Sequence, residues 1–354
     1  MARKKWLCFV AHFIYASVSI LVAFSYVSQY ISPLQGSIFY LFSLVVWYIQ
    51  LGAWIILIWA ALQKQTTWML VFLLLQVVGI RNYRVTYAFR FSEKTVDQAL
   101  KVVTYNVKNF ELGTEALLEE IAAQQADIVC LQEVWDYKRI YNSTYNFPNP
   151  LQYLQRSAHL PYLFFYPRIQ ENFGLAILSK YPIIQKGTIP FKSNGINGMM
   201  YVDIIYKNTK LRVYNVHLQS INLMYNPKYE HEIGKIKYDT PDKRRYLLQQ
   251  LIKSSIKRTY QLELLLQSIR SCQHPVVVAG DFNSTPYSHL YWKMTRDLQD
   301  NFIMSGKGLG YTFDKYPLRI DYIFSDRRLK PAQTFTYKTP YSDHSMVVSY
   351  MYLV

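Results

Sequence analysis

The chain has 354 residues and a formal charge of +16. Through Lys94 there are eight Lys or Arg and one Glu, a balance of +7, which leaves 16 − 7 = +9 for the remainder, a charge that favours phosphate-rich partners or an anionic membrane surface. Three scattered cysteines, Cys8, Cys130 and Cys272, exclude a disulfide framework, a zinc knuckle and a redox pair, and leave the compartment open.

Trp6 to Tyr30 and Ile38 to Gln63 contain no charged residue. Each exceeds the ~20 residues a helix needs to cross a bilayer, so two spanning helices are expected at about 6–30 and 38–63. Thr66 to Ile80 is shorter and includes Gln76; it is read as a third span, with a re-entrant or interfacial segment as the alternative. Arg3, Lys4 and Lys5 precede the first run as they would in a signal peptide. That run is too long for an h-region and another span follows at once, so an uncleaved anchor over 1–94 is expected. The positive-inside rule keeps Arg3, Lys4 and Lys5 cytoplasmic; three spans then export the rest of the chain and two retain it, with Arg81, Arg84 and Arg90 favouring retention.

Residues 95–354 mix strands and helices. Lys101–Val107 alternates as a strand, Glu115–Gln125 has helical apolar spacing, and DIVCLQEVW is a buried strand carrying Glu133. Phe173–Ile184 reads as a strand pair, and Met200–Leu218 as a hairpin turning near Asn208, with His217 at its end. A long helix within Asp242–Ser271 precedes VVVAGDFN, a helix follows near Ser288–Asp297, and two closing strands carry Asp321 and His344. Polar residues at the ends of buried strands in both halves predict two packed sheets with helices outside, an α/β sandwich of about 260 residues.

Six segments carry the candidate chemistry: TYNVKNF with Asn106, LQEVW with Glu133, YNVHLQS with His217, GDFNSTP with Asp281 and Asn283, RIDYIF with Asp321, and SDH with Asp343 and His344. In this order they resemble the endonuclease/exonuclease/phosphatase superfamily, with the flavour of its bacterial membrane-anchored members. The resemblance implies a DNase I-like four-layer α/β sandwich and a metal-dependent phosphoester hydrolase. Phosphoester hydrolysis needs charge neutralised on the non-bridging oxygens, an aligned water and a stabilised leaving oxygen. Mg2+, or Mn2+ in its place, suits hard oxygen ligands. On this reading Glu133, Asn106 and Asp343 serve the metal, and Asp281 orients or deprotonates water with Asn283 beside it. His344 donates to phosphate with Asp321 as its orienting acid, and His217 is a second imidazole on the phosphate. Arg258 and Gln261, at i and i+3 on the long helix, read as structural ties.

The stretch Gly306–Leu318 has no Trp, unlike the lesion-stacking loop of repair nucleases in the superfamily. Leu218–Arg245 mixes Tyr225, Tyr229 and Tyr238 with Lys235, Lys237, Lys243, Arg244 and Arg245, a composition suited to single-stranded nucleic acid or to anionic lipid. No arginine falls between Asn194 and Tyr201, where some relatives have one. The expected partners are a phosphoester substrate and a lipid bilayer, with nucleic acid as the alternative and no protein partner inferable. A non-catalytic binding protein of the same fold is the third reading.

Overall fold

The computed structural model describes residues 2–89, 96–135, 149–169, 173–191, 195–221 and 241–354. Arg90, Tyr225, Tyr229, Lys235, Lys237, Tyr238 and the side chain of Lys243 lie outside the described residues. The chain divides into two compact units, one of Met1–Thr86, Leu223–Thr259 and Thr285–Trp292, the other of Tyr87–Asn222, Tyr260–Ser284 and Lys293–Val354.

The first unit opens with four helices, α1 (Ala2–Val27), α2 (Phe39–Leu62), α3 (Thr66–Val78) and α4 (Ile80–Thr86). Lys5–Tyr30 and Phe39–Leu62 are each long and apolar enough to cross a membrane, and α3 with α4, bent by 49°, passes the same test as a pair. A helix satisfies its own backbone, which is why apolar runs of this kind adopt no other form in hydrocarbon. Ala53 and Ala60 are fully buried in the helix bundle, small side chains that let helix backbones approach.

The second unit is built on β1 (Leu100–Asn106), α5 (Thr114–Ala123), β2 (Ile128–Trp135), α6 (Pro150–Ser157), β3 (Tyr162–Ile169), β4 (Phe173–Ser179), β5 (Ile183–Thr188), β6 (Gly198–Tyr206) and β7 (Thr209–His217). It continues through the later turns of α7 (Pro241–Ser271), β8 (Val276–Asp281), the end of α8 (His289–Asp297), β9 (Gln299–Asp300), α9 (Asn301–Ser305), β10 (Asp321–Ser325), β11 (Leu329–Tyr337) and β12 (Met346–Leu353). Two six-stranded mixed sheets result, in the orders β11-β12-β1-β2-β4-β3 and β5-β6-β7-β8-β10-β9. Only β1 with β2 and β7 with β8 pair in parallel among the described ladders. The expected hairpin is present: β6 and β7 close at Tyr206↔Thr209, and Lys207 and Asn208 have φ of 47° and 62°, the twist a two-residue turn requires.

The two-residue period of each strand sorts its side chains into separate layers. Val102, Ile128 and Ile177 of the first sheet and Val202, Val213 and Val277 of the second are fully buried in one cluster. Val103, Tyr105 and Val129 turn the other way, toward Leu118 and Ile121 of α5 and Leu154 of α6. Each such side chain contributes about 1.5–3 kcal/mol by burial. On the second sheet Tyr214 of β7 meets Ser268 of α7 through a 3.0 Å hydroxyl contact.

Arg258 and Gln261, both on α7, make intramolecular ties. Within the first unit Arg258, 1% exposed, donates to the Tyr40 hydroxyl at 2.7 Å. In the second, the Gln261 side chain accepts from the Gln219 backbone N–H at 2.8 Å.

Candidate active site

Strand register brings the polar residues together. His217, Asp281 and Asp321 stand side by side in one row across the second sheet, because His217 pairs with Asp281 and Asp281 with Asp321. Asn106 at the end of β1 donates its amide N–H to Asp281 Oδ2 at 3.1 Å and to Glu133 Oε1 at 3.2 Å. His344, just before β12, bonds Asp321 Oδ2 through Nδ1 at 2.9 Å and holds Nε2 3.9 Å from Asp281 Oδ2. His217 Nε2 lies 3.6 Å from Asp281 Oδ2 and 3.7 Å from Glu133 Oε1. Among the described residues neither His217 nitrogen has a hydrogen-bond partner, although the side chain is fully buried.

Local backbone geometry aims these groups. β2 changes register against β4 between Leu131 and Val134, and Glu133 takes φ +54° in that irregularity, which redirects its carboxylate as bulges beside active sites do. Gly280 has φ +146°, and a Cβ there would stand 1.9 Å from the Val216 carbonyl oxygen, so no other residue fits between β7 and β8. Asn283 takes φ +49°, donates its backbone N–H to Asp281 Oδ1 at 2.8 Å and holds the Leu218 carbonyl with its amide at 3.2 Å. After Asn106 the chain turns left-handed through Lys108, Asn109 and Phe110 (φ 43°, 59° and 60°), and Lys108 pairs with Asp343 at 3.1 Å. Such backbone persists only where surrounding structure enforces it.

Burial and charge set the protonation states. Burial pushes His344 down, but the Asp321 charge and hydrogen bond, with Asp281 and Asp343, outweigh it and hold the imidazole at about 10. For His217 burial wins over the Asp281 charge and lowers it to about 4. Burial, then the Asp321 charge, raises Asp281 to about 6. Burial also raises Glu133, against the hydrogen bond from Asn106. The site therefore joins a cationic imidazole, a neutral imidazole and an acid poised near neutrality.

Asp281, Asp321 and His344 offer ligand atoms within 4.8 Å of one another. Within the same trio His344 Nδ1 is bonded to Asp321 Oδ2 at 2.9 Å and Nε2 lies 3.9 Å from Asp281 Oδ2, so it also has the arrangement of an acid–imidazole–acid chain. Glu133, with Asp343 adding to its negative surroundings, is the hard-oxygen pair suited to a divalent cation. The Asn106 amide oxygen accepts from the Lys108 backbone N–H at 3.1 Å while its amide nitrogen bridges two carboxylates, an arrangement that positions the acids.

Several supporting residues escaped the sequence reading. Thr312 Oγ1 accepts from the backbone N–H groups of Ile320 and Asp321 at 3.0 and 3.1 Å, and its carbonyl accepts from Ser345 N, so it ties the segments bearing Asp321 and His344. Gln132 and Asn215, both fully buried, link the two sheets through a 2.7 Å bond. Their signal was present in the sequence: Asn215 precedes His217 by one strand period and Gln132 adjoins Glu133. Arg168 of β3 donates Nε to the Asn197 carbonyl at 2.7 Å, and the Asn197 amide holds the Leu218 carbonyl at 2.7 Å. It braces the loop that lacks an arginine of its own, and no sequence signal links the two.

A family model described as the Endonuclease/Exonuclease/phosphatase family matches residues 103–344. Among solved structures, an endonuclease/exonuclease/phosphatase from Beutenbergia cavernae DSM 12333 is similar at TM-score 0.53 and 18% identity, covering 72% of this chain and 71% of its own. One from Bacteroides vulgatus gives 0.51 at 17% identity, with 74% and 100% covered. D. rerio TDP2 complexed with single strand DNA product gives 0.51 at 19%, with 72% and 100% covered. At these identities the likeness is one of fold. No curated protein matches the chain.

Proposed function

The chain belongs to the Endonuclease/Exonuclease/phosphatase family and is accordingly a metal-dependent phosphoester hydrolase; from that premise we propose that it is anchored in a membrane and cleaves a lipid-derived or small phosphoester. The observation that carries the mechanism is the row His217–Asp281–Asp321 facing Asn106, Glu133 and His344. Asp281, raised to about 6, is ionised at neutral pH yet basic enough to take a proton from an attacking water. The Asn283 N–H and the Asn106 amide fix both of its oxygens. His344, kept cationic by Asp321, donates from Nε2 to a phosphate oxygen as negative charge develops there. His217 stays neutral, and its partnerless nitrogens provide one more donor for the phosphate. Glu133 and Asp343 would hold Mg2+ or Mn2+, which when bound neutralises charge on the phosphate oxygens.

The anchor supports a lipid or membrane-proximal substrate, as does the absence of Trp from Gly306–Leu318. The +9 balance of residues 95–354 favours the second reading, a nuclease. Full-length protein and Asp281→Asn, with Mg2+ or EDTA, against phosphoinositides, sphingomyelin, plasmid DNA and RNA decide between them. Metal-dependent turnover of a lipid that the variant abolishes supports the first reading, and turnover confined to nucleic acid overturns it.

A further inference from the structure

The two sheets of the second unit meet at the site in facing pairs. Asn106 of β1 reaches Asp281 of β8 at 3.1 Å, and Glu133 of β2 reaches His217 of β7 at 3.7 Å. One strand further along the second sheet, Gly198 of β6 pairs with His217. Paired residues on neighbouring strands send their side chains to the same face, so the row His217–Asp281–Asp321 begins at Gly198. Glycine puts no side chain there.

The place is taken from the opposite sheet. A Cβ on Gly198 would stand 2.9 Å from Leu175 Cδ1, 3.1 Å from Arg168 Cδ and 3.4 Å from Tyr166 Cε1, so the Arg168 side chain of β3 crosses to the row over this glycine. Its guanidinium is fixed on two sides: Nε donates to the Asn197 carbonyl and Nη1 to the Tyr166 hydroxyl, each at 2.7 Å. The Tyr166 and Phe191 ring centres lie 5.2 and 5.6 Å from it, within cation–π range. Among the described residues no carboxylate pairs with Arg168 and its Nη2 has no partner, and the side chain is only half-buried. Bracing Asn197 uses Nε alone. It leaves the charge and the third nitrogen unused, and a fixed guanidinium with an open donor is suited to a phosphate oxygen.

We propose that Arg168 forms a subsite for a second phosphate group of the substrate, which lies on the His217 side of the scissile phosphate and accepts a hydrogen bond from Nη2. Gly198 stands two strand spacings, about 10 Å, from Asp281, so the two phosphates are separated by several bonds within one molecule. A bisphosphorylated polyol headgroup and a nucleotide with 3′ and 5′ phosphates both have this pattern. The subsite rests on the hydrolytic site proposed above, since Asp281 defines where the scissile phosphate lies.

The test is calorimetric titration of full-length protein in detergent with Mg2+. Inositol 1-phosphate is compared with inositol 1,4-bisphosphate, and thymidine 5′-phosphate with thymidine 3′,5′-bisphosphate. In one pair the bisphosphate is expected to bind about tenfold tighter, the worth of one charge-assisted hydrogen bond, and that pair identifies headgroup or nucleotide as the source. Arg168→Met should abolish the preference. Arg168→Lys, which keeps the charge and guards against misfolding of the methionine variant, should retain part of it. No preference in wild type for either bisphosphate, or a variant that weakens both members of a pair equally, overturns the subsite and leaves Arg168 as a brace. Binding needs no turnover, so the substrate panel above tests the hydrolytic reading separately.

Discussion

Asp321→Asn isolates the link between charge and catalysis. The Asp321 carboxylate stands 2.9 Å from His344 Nδ1, and both side chains are buried. At an effective dielectric of about 20, a unit charge at that separation stabilises the imidazolium by about 6 kcal/mol, or roughly four pKa units. Burial, which opposes the proton on His344, then prevails and brings the group from about 10 to roughly 6 or below. Asparagine keeps the shape and can still hydrogen-bond the ring, so folding should survive. The assay is kcat/KM against pH from 5 to 10 at saturating Mg2+. Wild type is expected to lose activity only as the pH nears 10, and the variant from about pH 6. The ratio between them should be roughly a hundredfold at pH 8 and shrink to a few-fold near pH 5.5. The acid limb should also move down, since the Asp321 charge helps to raise Asp281. A loss of constant size at every pH would refute the assignment of His344 as a cation held by Asp321.

Three further outcomes are expected. Gly280→Ala places a methyl 1.9 Å from the Val216 carbonyl oxygen at φ +146°, and should destabilise the second unit by about 3 kcal/mol or more, measured by denaturant unfolding of the full chain in detergent. Thr312→Val removes the acceptor shared by Ile320 and Asp321, and should lower kcat at least tenfold with Thr312→Ser restoring most of it; equal loss in both variants would reduce Thr312 to a packing residue. The third concerns unfolding with EDTA present. His217, lowered to about 4 from 6.5, gives stability that is full above pH 6.5 and lost as pH falls toward 4. Asp281, raised to about 6 from 3.8, acts oppositely: its native state holds the extra proton, so stability falls as pH rises from 3.8 to 6. Asp281→Asn should therefore make Tm climb more steeply between pH 4 and 6 than in wild type.

Much of this protein is readable along the chain because the information is local. Apolar runs longer than a bilayer is thick announce α1 and α2, period-two alternation announces β1, the β6–β7 hairpin follows from two strand runs about a turn, and short β-branched apolar runs announce β2 and β8. Strand ends and the loops beside them carry Glu133, His217, Asp281, Asn283, Asp321, Asp343 and His344 in segments of a few residues, so their types and order are visible in the sequence alone. The pairing of strands was not, since register depends on which faces bury together. Only the sheets set His217, Asp281 and Asp321 in one row, and only that closeness separates three acid–base groups into a cation, a neutral ring and a base near neutrality. Arg168 and Asn197, or Gln132 and Asn215, are far apart in sequence and meet through folding alone. The same holds for Arg258 with Tyr40 and Thr285 with Ser43, residues more than two hundred positions apart that the fold brings together within the unit of the apolar helices. Residue type and order are properties of the chain; distance, burial and therefore protonation belong to its tertiary structure, because electrostatic energy depends on separation and on the water that packing excludes.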